Sequence, residues 1–367
     1  MKGTVKKDGS SWYYLVSIGK DPKTGKYKYK KKRGFKTKKE CETALAKFIV
    51  EIESGTVIEN DKMTLAEYLD YWMETYVKAN CSPSTYKRYS FSVNDIKKYL
   101  GKTTLIKLNP LLIEKFYKDV IADKGISQNT LLKTHRTFHK ALKNAQQWQL
   151  IHTNPCELVN KPKENKKDIQ YWSPSKVKVI LKKLEGHRLY PITYLACYTG
   201  LRDGELCALK WKDIDLSKGL LSVSSNLSRD LNNKLIASTP KTSNSYRIIT
   251  LFPQTIEFLK KFKYRDDTIR NDDEYIFAWE DGRPLDPHYV SRNFKSMLDW
   301  CGIDKEDWIT FHGTRHTHAT LLLAAGVKEK VISKRLGHSN VAFTMDTYTH
   351  SDLEIEQKEI KKASKFL

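Results

Sequence analysis

Six side chains suited to a single reaction follow one another along the second half of this 367-residue chain. Arg202 stands in TGLRDGEL, Lys241 in TPKT, His312 and Arg315 in FHGTRH, His338 in LGHSN and Tyr348 in TMDTYTH. Two arginines, two histidines and a lysine make a cationic pocket, and the tyrosine supplies one hydroxyl nucleophile. That inventory suits attack on a phosphodiester. Paired guanidiniums match the oxygens of a phosphate and offset the charge that develops in a pentavalent state. A phenol with a pKa of about 10 is a poor nucleophile at neutral pH, and positive neighbours with a hydrogen-bonding histidine favour its phenolate. Asp346, Thr347, Thr349 and His350 surround Tyr348 with polarity, which argues against a core aromatic.

Each of these residues needs an element to hold it. His312 and Arg315 open a helix that runs to Ala325 and stops at Gly326, so at this spacing they face the same way. Arg202 follows the apolar helix YPITYLACYT, stopped by Gly200, and precedes the helix ELCALKW. It therefore sits near a helix N-terminus, where backbone N–H groups and the dipole also favour an anion. The plainer reading is an ion pair with Asp203 or Glu205; Glu205 reads as a residue that orients the site. GLLSVSS, KLIAST and YRIITL are three strand-like runs, and TPKTSNS between the last two puts Lys241 at a hairpin tip. KEKVISKRL is a short helix stopped by Gly337, with His338 next. His316 and His318 invite a metal reading with His312, but no convergent carboxylates accompany them, so no metal and no cofactor is expected. The tail beyond Tyr348 is amphipathic, with Leu353, Ile355 and Ile360 as its apolar positions.

Upstream, residues 1–57 read as a small sheet backed by one helix. SWYYLVSIG and KYKYKKKR are strands around the turn KDPKTGK, and a helix follows with Thr37 and Glu40 as a capping box. Alternation puts Tyr27, Tyr29 and Lys31 on one strand face and Lys28, Lys30 and Lys32 on the other. A two- or three-stranded ribbon fits the DNA major groove, and such lysines neutralise phosphates. Residues 63–159 read as four helices, entered at Thr64 with Glu67, Ser82 with Pro83, Asn109 with Pro110, and Ser127. Lys87 and Arg88 on the second helix, and Lys133, His135, Arg136 and Lys140 on the fourth, are candidate phosphate contacts. Leu65, Leu69, Trp72, Phe116 and Leu142 read as core. The charged, proline-bearing stretch 160–170 suits a linker to a third region, 172–367. The fold class is therefore multidomain and mainly α with small β-sheets: a sheet-plus-helix module, a four-helix domain and an α+β catalytic domain.

A formal net charge of +22 asks for a polyanionic partner. Six scattered cysteines without a CxxC pair indicate neither a zinc site nor a disulfide scaffold. The N-terminus lacks the apolar core of a signal peptide, and no stretch approaches the ~18 apolar residues of a membrane span. A cytoplasmic, DNA-associated protein with no membrane partner is expected.

The ordered set Arg202, Lys241, His312, Arg315, His338 and Tyr348 resembles the tyrosine recombinases, or phage-type integrases. The resemblance is strongest from Trp172 to Leu367. It implies that Tyr348 attacks the scissile phosphate to form a 3′-phosphotyrosyl link, and that Lys241 acts as general acid on the 5′ oxygen. It implies that 1–57 is an arm-type DNA-binding domain and 63–159 a core-binding domain, which closes with the catalytic domain around a duplex as a clamp. The partners implied are double-stranded DNA at core and arm sites, a homotetramer on DNA with the tail packed on a neighbouring protomer, a host bending factor and an excisionase. The expected function is integration or excision of a mobile element, such as a viral genome, through a Holliday junction. A type IB topoisomerase-like relaxing activity and a non-catalytic DNA-binding regulator are the alternatives. The N-terminal module and the tail count against the first, and the complete set of six against the second.

Overall fold

Apolar residues gather into separate cores along this chain, each drawing on several helices or strands. A computed structural model describes residues 3–20, 27–53, 62–165, 169–238, 246–265 and 271–337. The chain divides into two compact units, Met1–Asn165 and Lys166–Leu367.

The first unit begins with a three-stranded antiparallel sheet in the order β1-β2-β3: β1 Gly3–Asp8, β2 Ser11–Lys20 and β3 Tyr27–Phe35. Helix α1, Lys38–Glu53, covers one face, burying Tyr14 and Val16 against Cys41 and Leu45. Thr37 caps α1 through its Oγ1, 3.2 Å from the Glu40 N–H, but the Glu40 carboxylate takes the N–H of Lys36, one residue before the expected box partner. Val16 pairs with Lys30 and Tyr14 with Lys32, so Lys28, Lys30 and Lys32 lie on the helix-covered face. Lys30 Nζ stands 5.5 Å from the Phe48 ring of α1. The open face carries Tyr27 and Tyr29, each about 60% exposed, with Lys31 packed 3.9 Å over the Tyr13 ring.

Four helical stretches complete this unit. The first is α2, Leu65–Trp72, continued by a π-helical turn, Met73–Val77, and α3, Lys78–Asn80. Then come α4 Pro83–Leu100, α5 Pro110–Lys124 and α6 Gln128–Gln147. Thr64 and Glu67 form a complete capping box, and Ser82, Asn109 and Ser127 cap the other three, two of them with proline in the first turn. Leu65, Leu69, Trp72, Phe116 and Leu142 are all buried in one core. Trp72 stacks between Tyr76 and Tyr89 and donates from Nε1 to Asn144 Oδ1 at 3.0 Å. Lys87, Arg88, Lys133 and Arg136 are exposed, with Arg136 3.3 Å from Glu164. His135 is not a surface contact: it is buried, with Nδ1 2.6 Å from the Tyr117 hydroxyl.

The second unit packs helices around two small sheets. Its helices are α7 Pro174–Leu184, α8 Tyr190–Thr199, α9 Asp203–Ala208, α10 Pro253–Lys263, α11 Pro287–Trp300, α12 Gly313–Ala324 and α13 Glu329–Leu336. Its strands are β4 Ile214–Asp215, β5 Leu220–Val223, β6 Asn226–Arg229, β7 Leu235–Ser238 and β8 Arg247–Thr250. The pairing corrects the expected order. β7 pairs with β6, a strand the sequence reading missed, while β8 pairs with β5. The stretch from Ser238 to Arg247 that holds Lys241 thus connects two different sheets and is not the tip of a β7–β8 hairpin. Among the described residues no helix is long and apolar enough to cross a membrane.

Candidate active site

The site is built where α8 ends, α9 begins and α12 passes behind both. α8 stops at Gly200 in the left-handed region, φ 67°. A Cβ there would fall 2.5 Å from Leu336 Cδ2 and 2.7 Å from His318 Cδ2, so only glycine lets α12 and α13 close on this corner. Arg202 follows as the extended residue before α9, and Glu205 lies one turn on. Gly204 is needed for a different reason: a Cβ would meet Asn226 Oδ1 at 2.4 Å and the Leu227 carbonyl at 2.6 Å, so a side chain would push the β6–β7 hairpin off α9.

Glu205 is buried and holds two arginines. Its Oε1 accepts from Arg202 Nη1 at 2.9 Å and from Arg247 Nη1 at 3.0 Å. Its Oε2 accepts from the Arg202 backbone N–H at 2.9 Å and from Arg247 Nη2 at 2.8 Å. Burial works to raise the Glu205 pKa, but the hydrogen bonds and charge of Arg247, then of Arg202, hold it at about 2. The carboxylate is therefore ionised at neutral pH. The side chain of Arg202 remains 38% exposed, whereas that of Arg247 is 4% exposed. Two of the backbone N–H groups at this helix start are already taken, that of Arg202 by Glu205 and that of Gly204 by Asp203 Oδ1 at 2.8 Å.

Arg315 is almost fully enclosed. Its Nη1 donates to the Gly200 carbonyl at 2.7 Å and its Nη2 to the Leu336 carbonyl at 2.6 Å. One guanidinium thus caps the C-termini of α8 and α13, where the helix dipoles favour a cation. Arg335 and His318 form the layer beneath. Arg335 donates from Nε to His318 Nε2 at 3.0 Å, from Nη1 to the Thr250 carbonyl at 2.7 Å and from Nη2 to the Tyr198 carbonyl at 3.3 Å. His318 Nδ1 lies 3.0 Å from the Cys197 carbonyl. A carbonyl can only accept, so Nδ1 carries the proton and Nε2 is the acceptor. Burial, reinforced by Arg335, pushes the His318 pKa down to about 3, which keeps the ring neutral. Arg247 closes the network by donating from Nε to the Arg335 carbonyl at 2.8 Å.

His312 stands at the mouth of α12 with an exposed edge. Desolvation by the atoms packed around its ring lowers its pKa, as do Arg315 and Arg202, while Asp203 opposes them. Its ring is 5.1 Å from that of His316 and nearly perpendicular to it. His318 turns the other way, toward α8 and Arg335. Among the described residues no group of His, Cys, Asp or Glu is arranged to hold a metal ion.

The structure thus brings together Arg202, Glu205, His312 and Arg315. Lys241, His338 and Tyr348 lie outside the described residues; the described chain reaches Gly337, the residue before His338. Sequence reasoning missed Arg247 and Arg335 and left His318 without a role. The one available signal for Arg247 was its place two residues from Ile249 on the buried face of β8, where an arginine requires a buried partner.

Comparisons with known proteins cover each part of the chain. The phage integrase family matches residues 171–354, an arm DNA-binding domain matches 4–52, and the phage integrase N-terminal SAM-like domain matches 64–121. A XerC-like tyrosine recombinase from Caldanaerobacter subterraneus subsp. tengcongensis is 31% identical, covering 94% of this chain and 93% of its own. The ICEBs1 integrase of Bacillus subtilis is 27% identical over 95% of both chains. The Tn1549 transposon integrase, solved with a circular intermediate DNA, superposes with a TM-score of 0.68 at 21% identity, covering 82% of this chain and 99% of that one. The chain belongs to the phage integrase family and is a tyrosine recombinase, an enzyme of site-specific DNA recombination.

Proposed function

We propose that the chain integrates and excises a mobile element by covalent strand transfer. Tyr348 attacks a DNA phosphodiester, forming a 3′-phosphotyrosyl bond and releasing a 5′ hydroxyl, and Lys241 protonates that leaving oxygen. Arg202 binds the scissile phosphate. Arg315 and the arginines behind it supply positive potential, and His312 and His338 hydrogen-bond the reacting oxygens. The phosphotyrosyl bond stores the energy of the broken linkage, so resealing needs no ATP, and cationic side chains do the work a metal does in other phosphoryl transfers. Four protomers on two duplexes exchange strands through a Holliday junction, with a host bending factor and an excisionase setting direction.

The parts divide the DNA between them. Residues 1–57 hold arm sites, 63–159 grip the core site through Lys87, Arg88, Lys133 and Arg136, and 172–367 cleave. The observation that carries the reading is the half-exposed Arg202, locked by Glu205 beside His312 and Arg315. Similarity to the ICEBs1 integrase and to the Tn1549 transposon integrase supports the choice of reaction.

The test is covalent trapping. The protein is incubated with sheared element and host DNA in EDTA, denatured with SDS, and the protein-linked fragments are sequenced, with Tyr348→Phe in parallel. Discrete junctions that vanish in the variant are expected. Scattered adducts would indicate a relaxing activity, and none on intact or pre-nicked DNA would indicate a binding protein.

A further inference from the structure

Glu205 divides its four hydrogen bonds evenly: each oxygen takes one from Arg202 and one from Arg247. Only Arg202 has an exposed side, and Arg247 lies too deep to reach DNA from this position. The carboxylate could satisfy Arg202 alone by turning to face its guanidinium with both oxygens. In that arrangement it would compete with a phosphate for the same N–H groups. The planar fork of Arg247 forbids this, because it pins both oxygens in its own plane and leaves Arg202 only one carboxylate bond to its guanidinium. Arg247 also holds the Arg335 carbonyl, next to the last residue of α13, so one side chain ties the Arg202 corner to the helix that leads toward His338 and Tyr348.

We propose that Arg247 is a positioning residue for the reaction: through the shared Glu205 carboxylate it sets how Arg202 presents itself to the scissile phosphate. The inference rests on the reading of Arg202 as a phosphate ligand, and the experiment separates the two.

Duplexes carrying a junction mapped by trapping are made with either a normal scissile phosphate or a methylphosphonate, which removes the charge that Arg202 neutralises. Single-turnover adduct formation is measured for the wild type, Arg202→Ala, Arg247→Met and Arg247→Lys, each checked for folding by its melting transition. Outer residues that orient a reactive group are commonly worth about 10- to 100-fold, so Arg247→Met should be slower by that factor on the normal phosphate and within about threefold of wild type on the methylphosphonate. Arg247→Lys keeps the charge but bonds a single oxygen, so it should fall between. The Arg247→Met deficit should also widen as pH falls, because Glu205 without Arg247 protonates more readily. Arg247→Met being equally slow on both linkages while Arg202→Ala is rescued would overturn the proposal and leave Arg247 a purely structural role. Unimpaired cleavage by Arg247→Met would overturn it too. Failure of the methylphosphonate to rescue Arg202→Ala would instead remove the reading of Arg202. If Arg247→Met does not fold, Arg247→Lys gives the same comparison on a smaller scale.

Discussion

In the helical unit the large buried polar side chains are neutral. Tyr117 meets His135, Trp72 meets Asn144, and Tyr68 donates to the Ala141 carbonyl. Burial pushes the His135 pKa down to about 4, so the ring stays uncharged. In the catalytic unit the same structural problem is met with charge: Arg247 is buried against the Glu205 carboxylate, Arg315 against the Gly200 and Leu336 carbonyls, and Arg335 is partly buried against His318 and the Thr250 and Tyr198 carbonyls. Neutral hydrogen bonds suffice to specify a helical core. Burying arginines, whether against a carboxylate or against carbonyls, costs desolvation that such a core does not incur. On the proposed reading of the site, the excess positive charge is what a scissile phosphate neutralises.

The sharpest way to break this contrast is to remove the anion. Glu205→Ala leaves Arg247 buried without its carboxylate and should cost about 3–5 kcal/mol in urea unfolding; a loss under about 1 kcal/mol, the size expected of an exposed ion pair, would mean that the network is not closed to water. Acidification comes next and touches both units. His135 and His318 have folded pKa values of about 4 and about 3, below the unfolded value of about 6.5. The unfolded chain binds protons first, so their stabilisation is intact above pH 6.5 and is lost as pH falls toward those folded values. Linkage puts the loss between pH 7 and pH 4.5 at about 2–3 kcal/mol per histidine. Glu205 acts in a lower window, losing its contribution as pH falls from about 4.5 toward about 2. The difference in pH slope between wild type and His318→Gln isolates one histidine, and identical slopes would contradict its buried neutral state.

Two smaller effects complete the comparison. Arg315→Lys replaces the rigid two-nitrogen fork that spans the Gly200 and Leu336 carbonyls with one ammonium on a flexible stem, and a carbonyl left poorly paired should cost about 1–3 kcal/mol. A thermal melt indistinguishable from wild type would show that Arg315 does not join the ends of α8 and α13. Tyr117→Phe in the helical unit should cost about 1 kcal/mol and leave cleavage unchanged, because its bond to His135 is neutral and lies in the other unit. A cleavage defect there would erase the distinction between the two clusters.

How much of this was legible in the sequence follows the same division. Caps at Thr64, Ser82, Asn109 and Ser127 are local, so the four helical stretches could be read directly. Arg202, Glu205, His312 and Arg315 were legible because they sit in short motifs around helix ends. The partners of Glu205 and Arg315 were not, because they come from long range: Arg247 is 42 residues from Glu205, and Leu336 is 21 from Arg315. Strand pairing failed for a related reason. KLIAST and YRIITL look like neighbours in sequence, yet β7 joins β6 and β8 joins β5 across the intervening chain. The lysines of β3 were recognised as one face, but alternation alone does not say which face a helix covers.

The most direct measurement identifies the residue that carries DNA. Covalent complexes trapped with SDS are digested with nuclease and trypsin, and the nucleotide-bearing peptide is sequenced by mass spectrometry. The chain has 20 tyrosines, so the assignment discriminates. A phosphonucleotide on Tyr348, absent from the Arg202→Ala protein, is the expected result. Attachment at any other tyrosine, or an undiminished adduct in Arg202→Ala, would contradict the active site described here.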